Sequence, residues 1–189
     1  MLNVAVSGLR AFQRALETTS HNIANAATPG YNRQVVVQGA VNGQDAGYGF
    51  IAKLEDLHSR ARAGKAVLNL TDAAKVLYPV AVATADAVIA AVNSEGRLLV
   101  FPSSELPEMA RGKGNKIFGI PTKKAETREE LLVAVATLTE GQKLVVWCGE
   151  RSMTLTWKEL ADYRGARAQR GAMLSRNYRK VDRLETAGD

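Results

Sequence analysis

Basic residues gather around glycines in three loops, and this pattern carries the clearest chemical meaning in the sequence. Lysine and arginine bind phosphate oxygens, and glycine lets a backbone approach a phosphate without a Cβ in the way. The loops span residues 60–67, 111–117 and 167–174. Together with two arginines that lie outside them, at positions 97 and 176, the loops supply the cations that we expect to contact nucleic-acid phosphates. These are Arg60, Arg62, Lys65, Arg97, Arg111, Lys113, Lys116, Arg167, Arg170 and Arg176.

One such loop alone would be an ordinary solvated turn whose glycine serves only the backbone. Recurrence in three successive units favours a shared role, because independent surface turns have no reason to carry cations at matching places. A curved row of these loops would follow duplex DNA through its phosphates and read few bases. Binding would then be sensitive to salt and tolerant of sequence.

The loops belong to a repeated unit that is rich in predicted strands. Glycine, an apolar run, an acidic residue and leucine follow one another in residues 47–57 and again in residues 96–106, and a weaker third copy begins near Arg151. Such units are typical of propeller blades. The 145 residues from Asp45 to Asp189 supply at most three of them. The sequence therefore predicts a mainly β, open, partial propeller. The predicted strands are residues 48–54, 75–82, 87–92 and 97–101.

The beginning of the chain has a different period. Apolar residues recur every seven positions with a second set between them, which predicts a coiled-coil-type helix over residues 2–26, ended by Thr28-Pro29-Gly30. One amphipathic helix cannot bury its own apolar stripe, so we expect it to pair with another helix or to self-associate. The seam residues are Leu2, Leu9, Phe12, Leu16 and Ile23.

Composition narrows the functional classes. A net charge of +6 suggests an anionic partner. Cys148 is the only cysteine, so a disulfide or thiolate metal site within one chain is excluded, and its apolar surroundings indicate a small buried residue. No apolar run is long enough to span a membrane, and the N-terminus lacks a secretory signal, so we expect a cytoplasmic protein. We find no nucleophile–base pair or ligand cluster, and expect no cofactor.

The first segment resembles a flagellar family. Residues 7–11, 18–25 and 28–31 match the N-terminus of flagellar axial proteins, most closely the hook-associated protein 1 family. That resemblance implies an N-terminal helix that pairs with a C-terminal helix of the same chain in a filament, hook or rod. This sequence closes on arginine- and aspartate-rich residues without apolar heptads, which argues against flagellar assembly. A flagellar structural role remains the alternative function.

The remainder contains several uncommon strings in order, at residues 45–50, 62–66, 96–102, 105–107 and 113–117. Through these strings it resembles the C-terminal domain of the topoisomerase IV A subunit. The resemblance implies a β-pinwheel, in which blades exchange strands and a basic outer face binds and bends double-stranded DNA. Gyrase has a Gln-Arg-Arg-Gly-Gly-Lys-Gly box in the corresponding loop, and the degenerate loops here imply weaker wrapping.

The same resemblance implies a module that is not an enzyme by itself, because the catalytic tyrosine domain of the family lies outside the matched region. Contact with the topoisomerase IV B subunit would require that missing catalytic half. A nucleoid-associated location is also implied. The two resemblances divide the chain into residues 1–44 and 45–189, with a join between Val37 and Phe50, as in a recombined or misassembled reading frame.

Overall fold

The structure, a computed structural model, describes residues 39–57, 59, 64–71 and 73–188. The predicted N-terminal helix and its seam residues lie outside this part of the chain, as do Arg60 and Arg62. The described helices are short: α1 (Leu54–Leu57), α2 (Thr122–Glu126) and 3-10 turns at Ser103–Glu105, Glu159–Tyr163 and Arg176–Tyr178. None of the helices in the described ranges has the length and apolar character needed to cross a membrane.

Strands account for most of the regular structure, as the sequence predicts. They are β1 (Gly39–Gln44), β2 (Tyr48–Lys53), β3 (Val80–Val82), β4 (Val88–Asn93), β5 (Arg97–Pro102), β6 (Asn115–Lys116), β7 (Leu132–Leu138), β8 (Lys143–Cys148), β9 (Arg151–Leu155), β10 (Ala172–Met173) and β11 (Arg183–Ala187).

The strands form three sheets, each built on an antiparallel hairpin with a tight turn. The strand orders are β3-β1-β2-β6, β10-β5-β4-β7 and β11-β8-β9. We call these sheets the first, second and third blades. The turns of their hairpins, residues 45–47, 94–96 and 149–150, mark one end of each blade, which we call the turn rim.

Two strand boundaries differ from the sequence-based expectation. The strand predicted over residues 75–82 is shorter, because Pro79 lacks the N–H needed to continue a ladder. Continuous pairing with β1 is limited to Val80–Val82, and Val76 forms only an isolated bridge with Gln44 of β1. Strand β1 pairs along its whole length with β2, so the first blade includes residues on the N-terminal side of Asp45. Two glycines in β1, Gly39 and Gly43, weaken its strand signal in the sequence.

The second blade is covered on both faces, because it lies between the other two. All six residues of β4 are buried. Val88, Ala90 and Val92 join one apolar cluster, and Ile89 and Ala91 join the other. A fully buried aliphatic side chain contributes about 1.5–3 kcal/mol, so this strand anchors the fold.

The core encloses Phe101 and confirms the predicted burial of Cys148. Phe101 is buried in the cluster shared by the first and second blades, where it cannot act as a base-stacking platform. Cys148 is buried as well, and desolvation raises the pKa of its thiol above the ordinary value of 9.0. Trp157 packs half-buried against the other cluster.

Candidate nucleic-acid interface

Each basic glycine loop in the second and third units leads into a strand that joins the preceding blade. Strand β6 closes the loop at residues 111–116 and pairs with β2. Strand β10 closes the loop at residues 167–173 and pairs with β5. We call these two segments the second and third corner loops. They are the crossing points at which one unit of the repeat joins the blade before it.

The glycines of the corner loops are required by this crossing. Gly114 has φ +76° and Gly171 has φ +67°, in the left-handed region that favours glycine. A Cβ would lie 2.1 Å from the carbonyl oxygen of Gly49 at the first position and 2.4 Å from that of Leu98 at the second. Their expected role was phosphate approach, whereas the structure gives them a backbone contact between blades.

The same hydrogen bonds fix both corner loops at the turn rim. The N–H of Ile117 donates to the carbonyl of Gly47 at 2.8 Å, and the N–H of Leu174 donates to that of Gly96 at 2.9 Å. Because Gly47 and Gly96 end their hairpin turns, each corner loop is held at the same end of its blade. The repeated sequence therefore becomes a repeated position in space.

The second corner loop presents its cations to a cleft. Arg111 and Lys113 are exposed and Lys116 is half-buried. The Lys113 ammonium lies 4.0 Å from the centroid of the Tyr48 ring, and the Lys116 ammonium donates to the Ile120 carbonyl at 3.0 Å. Both lysines line a cleft of about 390 Å³. Its other walls include Tyr48, Thr122 and acidic side chains.

The third corner loop turns its cations toward the protein. Arg170 donates to Glu130 at 2.9 Å and to Glu95 at 3.0 Å. Arg97 donates to the carbonyl of Gly171 at 3.2 Å. The Arg167 guanidinium donates to the carbonyl of Lys116 at 2.7 Å, and so ties the third corner loop to the second. These three arginines hydrogen-bond to protein atoms and so hold the crossing in position. Contact with a ligand would compete with those bonds.

The other predicted cations are placed less closely together. Lys65 is exposed, and its ammonium donates to the carbonyl of Asp56 at 2.8 Å. Arg176 is exposed and begins a 3-10 turn. Alignment on the loop glycines puts a cation directly before the glycine in two loops, at Lys113 and Arg170, whereas Ala63 stands there in the first.

Known proteins match this chain in two separate parts. Residues 2–32 match the family model described as flagella basal body rod protein. The A subunit of DNA topoisomerase 4 from Pseudomonas aeruginosa is 45% identical over 141 residues, which cover 74% of this chain and 19% of that relative. Its Escherichia coli K12 counterpart is 39% identical over 141 residues, which cover 75% of this chain and 19% of the relative.

A solved structure agrees with the second match. The structure described as the E. coli ParC C-terminal domain superposes with a TM-score of 0.73 at 35% identity, covering 84% of this chain and 64% of that one. The three blades are homologous to the C-terminal domain of the topoisomerase IV A subunit. A DNA gyrase A C-terminal domain also superposes, with a TM-score of 0.64 at 14% identity, and shares the fold. The predicted mainly β pinwheel architecture is confirmed.

This topoisomerase IV-type domain contains an ion-pair network that the sequence did not reveal. Glu130 is fully buried, accepts a hydrogen bond from the Asn93 amide at 2.8 Å, and pairs with Arg170 and with Lys124 at 2.9 and 3.6 Å. The run Glu126-Thr127-Arg128-Glu129-Glu130 has the composition of a solvated surface segment. One carboxylate of this run is buried because the third corner loop packs against it, which the sequence alone does not reveal.

Glu95 joins the same network and makes it sensitive to acid. The hydrogen bond from Lys124 is the main reason that the pKa of Glu95 lies below its ordinary value of 4.5, with further attraction from Lys124, Arg170 and Arg97. A depressed carboxyl pKa stabilises the fold above the unfolded-state value and loses that effect as pH falls through the folded value. We therefore expect Glu95→Gln to flatten the fall of unfolding free energy below pH 4.5, measured from urea midpoints. An unchanged acid profile in the variant would contradict this role of Glu95.

Proposed function

We propose that this chain is a non-catalytic DNA-binding and DNA-bending module, which contacts duplex phosphates through the corner loops on the turn rim. The observation that carries the proposal is the repeated crossing: successive blades hold a cation-glycine loop at the same end by the same hydrogen bonds. The homologous proteins are named as DNA topoisomerase subunits, which supports DNA as the ligand. The chain spans about a fifth of their length, since the matched region is 19% of each.

Exposure and hydrogen bonding place six of the ten expected cations in two groups. Arg111, Lys113 and Arg176 are exposed and can contact phosphate without breaking an ion pair with another described residue. Arg97, Arg167 and Arg170 each hold protein atoms and act mainly by keeping the loops in place. Phosphate contacts fix the path of a duplex and carry little sequence information, so the proposed binding is sequence-tolerant.

Salt dependence tests the proposed contacts. Each phosphate neutralised by a cation contributes about 0.9 to the slope of log K against log salt concentration for B-DNA. We expect Arg111→Ala with Lys113→Ala to lower that slope by roughly 2 and to weaken binding at low salt. The measurement is fluorescence anisotropy with one labelled duplex over a range of salt concentrations.

A matched control separates local contacts from net charge. Lys53 and Lys158 are exposed, and both lie at the end opposite the turn rim, where Lys53 ends β2 and Lys158 follows β9. Their double replacement by alanine removes the same charge. We expect this control to leave the slope within experimental error of wild type. If the two double variants lowered the salt-dependence slope equally, DNA binding would reflect non-specific attraction to a basic protein and the proposed interface would be contradicted.

The same proposal assigns no strand passage to this chain, which would bind DNA without relaxing or decatenating it. Contact with the topoisomerase IV B subunit belongs to the catalytic half of the parent protein, and the proposed location is the cytoplasm, on the nucleoid. A plasmid relaxation assay with ATP and the B subunit should leave the topoisomer distribution unchanged. Relaxation that depends on this chain would contradict the non-catalytic assignment.

A second candidate is a flagellar axial role, which the match of residues 2–32 to a rod-protein family favours. In that case the seam at Leu2, Leu9, Phe12, Leu16 and Ile23 would drive assembly. The variant Leu9→Asp with Leu16→Asp distinguishes the candidates. A DNA-binding module should keep its affinity, whereas a structural protein that assembles through this helix should lose self-association.

A further inference from the structure

The outer edges of β2 and β5 are covered by the unit that follows each of them. On β2, Gly49 pairs with Asn115, and Ile51 exchanges backbone hydrogen bonds with Pro107 and Met109 at 3.0 and 2.9 Å. On β5, Leu98 pairs with Ala172, and the carbonyl of Val100 accepts from the N–H of Gly165 at 3.0 Å. Each of these strands therefore receives partners at two alternate positions along its outer edge.

Strand β9 has the same place in the third blade, yet its outer edge is open within the described part of the chain. The third sheet has three strands, in the order β11-β8-β9, where each of the other sheets has four. Ser152 and Thr154 occupy the places of Gly49 and Ile51, counted from the hairpin turn. No other described residue makes a backbone hydrogen bond to the outer side of these two positions.

The first unit has the opposite deficiency, because its segment at residues 65–67 lies on no strand edge within the described part of the chain. Its one backbone hydrogen bond to another described segment runs from the Gly112 N–H to the Val67 carbonyl, at 3.0 Å. Gly64 has φ +79°, close to the values of Gly114 and Gly171 in the corner loops. A Cβ on Gly64 would meet nothing within 4 Å, whereas the other two would collide with the strand that they cross. Residues 65–67 follow Gly64 as β6 follows Gly114, and Lys65 and Ala66 are exposed.

We propose that two copies of this chain associate head to tail, with residues 65–67 of each copy pairing antiparallel with β9 of the other. By analogy with Asn115 on Gly49, Lys65 lies opposite Ser152 of the second copy. The Val67 N–H then donates to the carbonyl of Glu150, as Ile117 donates to Gly47. Open strand edges are the usual sites of such pairing.

The number of blades explains why two copies suffice. Within the described residues, each copy has one donor segment and one open acceptor edge, so two copies satisfy both. Together they supply six blades, within the four to eight that closed propellers contain. An asymmetric contact of this kind either closes into a ring or continues as a fibre, and closure at two copies predicts a dimer.

Complementation between two proline variants tests the pairing. Proline removes the outward N–H, so Lys65→Pro blocks the donor segment and Ser152→Pro blocks the acceptor edge. In sedimentation velocity we expect wild type at about twice the 20.3 kDa chain mass and each variant at the mass of one chain. An equimolar mixture should regain a dimer held by one of the two contacts, because the intact donor segment of Ser152→Pro can pair with the intact β9 edge of Lys65→Pro. A monomeric wild type, or a mixture that stays monomeric, would overturn the proposal.

A disulfide variant gives a positive readout that does not depend on proline. Residues directly opposite on paired antiparallel strands have Cα atoms about 5.5 Å apart, a separation that a disulfide spans. In a Cys148→Ala background, Lys65→Cys with Ser152→Cys should form a covalent dimer under mild oxidation. A ladder of larger species, or no crosslink, would contradict a closed pair. Leu9→Asp with Leu16→Asp should leave the dimer intact, and its loss would assign association to the N-terminal helix.

Discussion

Alanine at Gly114 is expected to cost about 3–5 kcal/mol of unfolding free energy, through left-handed backbone strain and overpacking against a strand. The new Cβ would lie 2.1 Å from the Gly49 carbonyl oxygen, which belongs to a backbone that cannot rotate away. Strand β6 would have to leave β2, and the second corner loop would lose its position. For a domain of this size the midpoint of thermal unfolding should fall by roughly 10 °C.

Gly64→Ala is the matched control for this prediction. Gly64 has φ +79° against +76° at Gly114, so both alanines bear the same conformational strain of about 1–2 kcal/mol. The two sites differ in crowding, because a Cβ at residue 64 meets nothing within 4 Å. Both variants should be compared by urea unfolding at a dilution at which the chain is monomeric. Equal destabilisation would mean that Gly114 does not cross β2 as described.

The second large effect is expected at Arg170, where alanine should reduce the unfolding free energy by about 2–3 kcal/mol. Removing one partner of a buried ion pair leaves an uncompensated charge, which typically costs 3–5 kcal/mol. The loss here should fall below that range, because only Glu130 is buried while the Arg170 side chain is 39% exposed. In addition, Lys124 stays 3.6 Å from Glu130 and the Asn93 amide still donates to it. Urea denaturation of the full chain measures the difference.

Arg176→Ala and Glu130→Gln complete the test of the network. Arg176 is exposed, so its replacement should change stability by less than about 0.5 kcal/mol. If Arg170 acts by neutralising Glu130, then Arg170→Ala should cost much less in a Glu130→Gln background. An undiminished cost there would place the role of Arg170 elsewhere. If Arg170→Ala also weakens DNA binding, the same series shows how much of that loss comes from displacement of the third corner loop.

The sequence predicted those parts of the fold that depend on local pattern. Hairpin strands such as β2 and β5 combine apolar and β-branched residues with a glycine turn, and both lie where they were expected. The repeat also predicted the number of blades. Strand β1 was missed because its glycines weaken strand propensity, and the strand before β4 was overextended because Pro79 interrupts its pairing.

Long-range strand pairing limited how much of the site could be predicted from the sequence. Strand β6 has only two residues, and its partner Gly49 lies far away in the sequence, so no local signal marks the exchange. The loops were recognised as a repeated basic feature, but the purpose of Gly114 and Gly171 depends on backbone contacts formed only after folding. The enclosure of Glu130 was equally hidden, since burial of one carboxylate in a charged run is decided by the loop that packs over it.

Lysine footprinting tests the proposed DNA interface most directly. The chain is acetylated briefly with and without saturating duplex, and the modification of each lysine is quantified by mass spectrometry. Lys113 on the second corner loop should lose several-fold in reactivity when DNA is bound, while Lys53 and Lys158 at the opposite end of the blades should be unchanged. Protection of Lys53 and Lys158 with Lys113 still reactive would show that DNA lies elsewhere and would contradict the proposed interface.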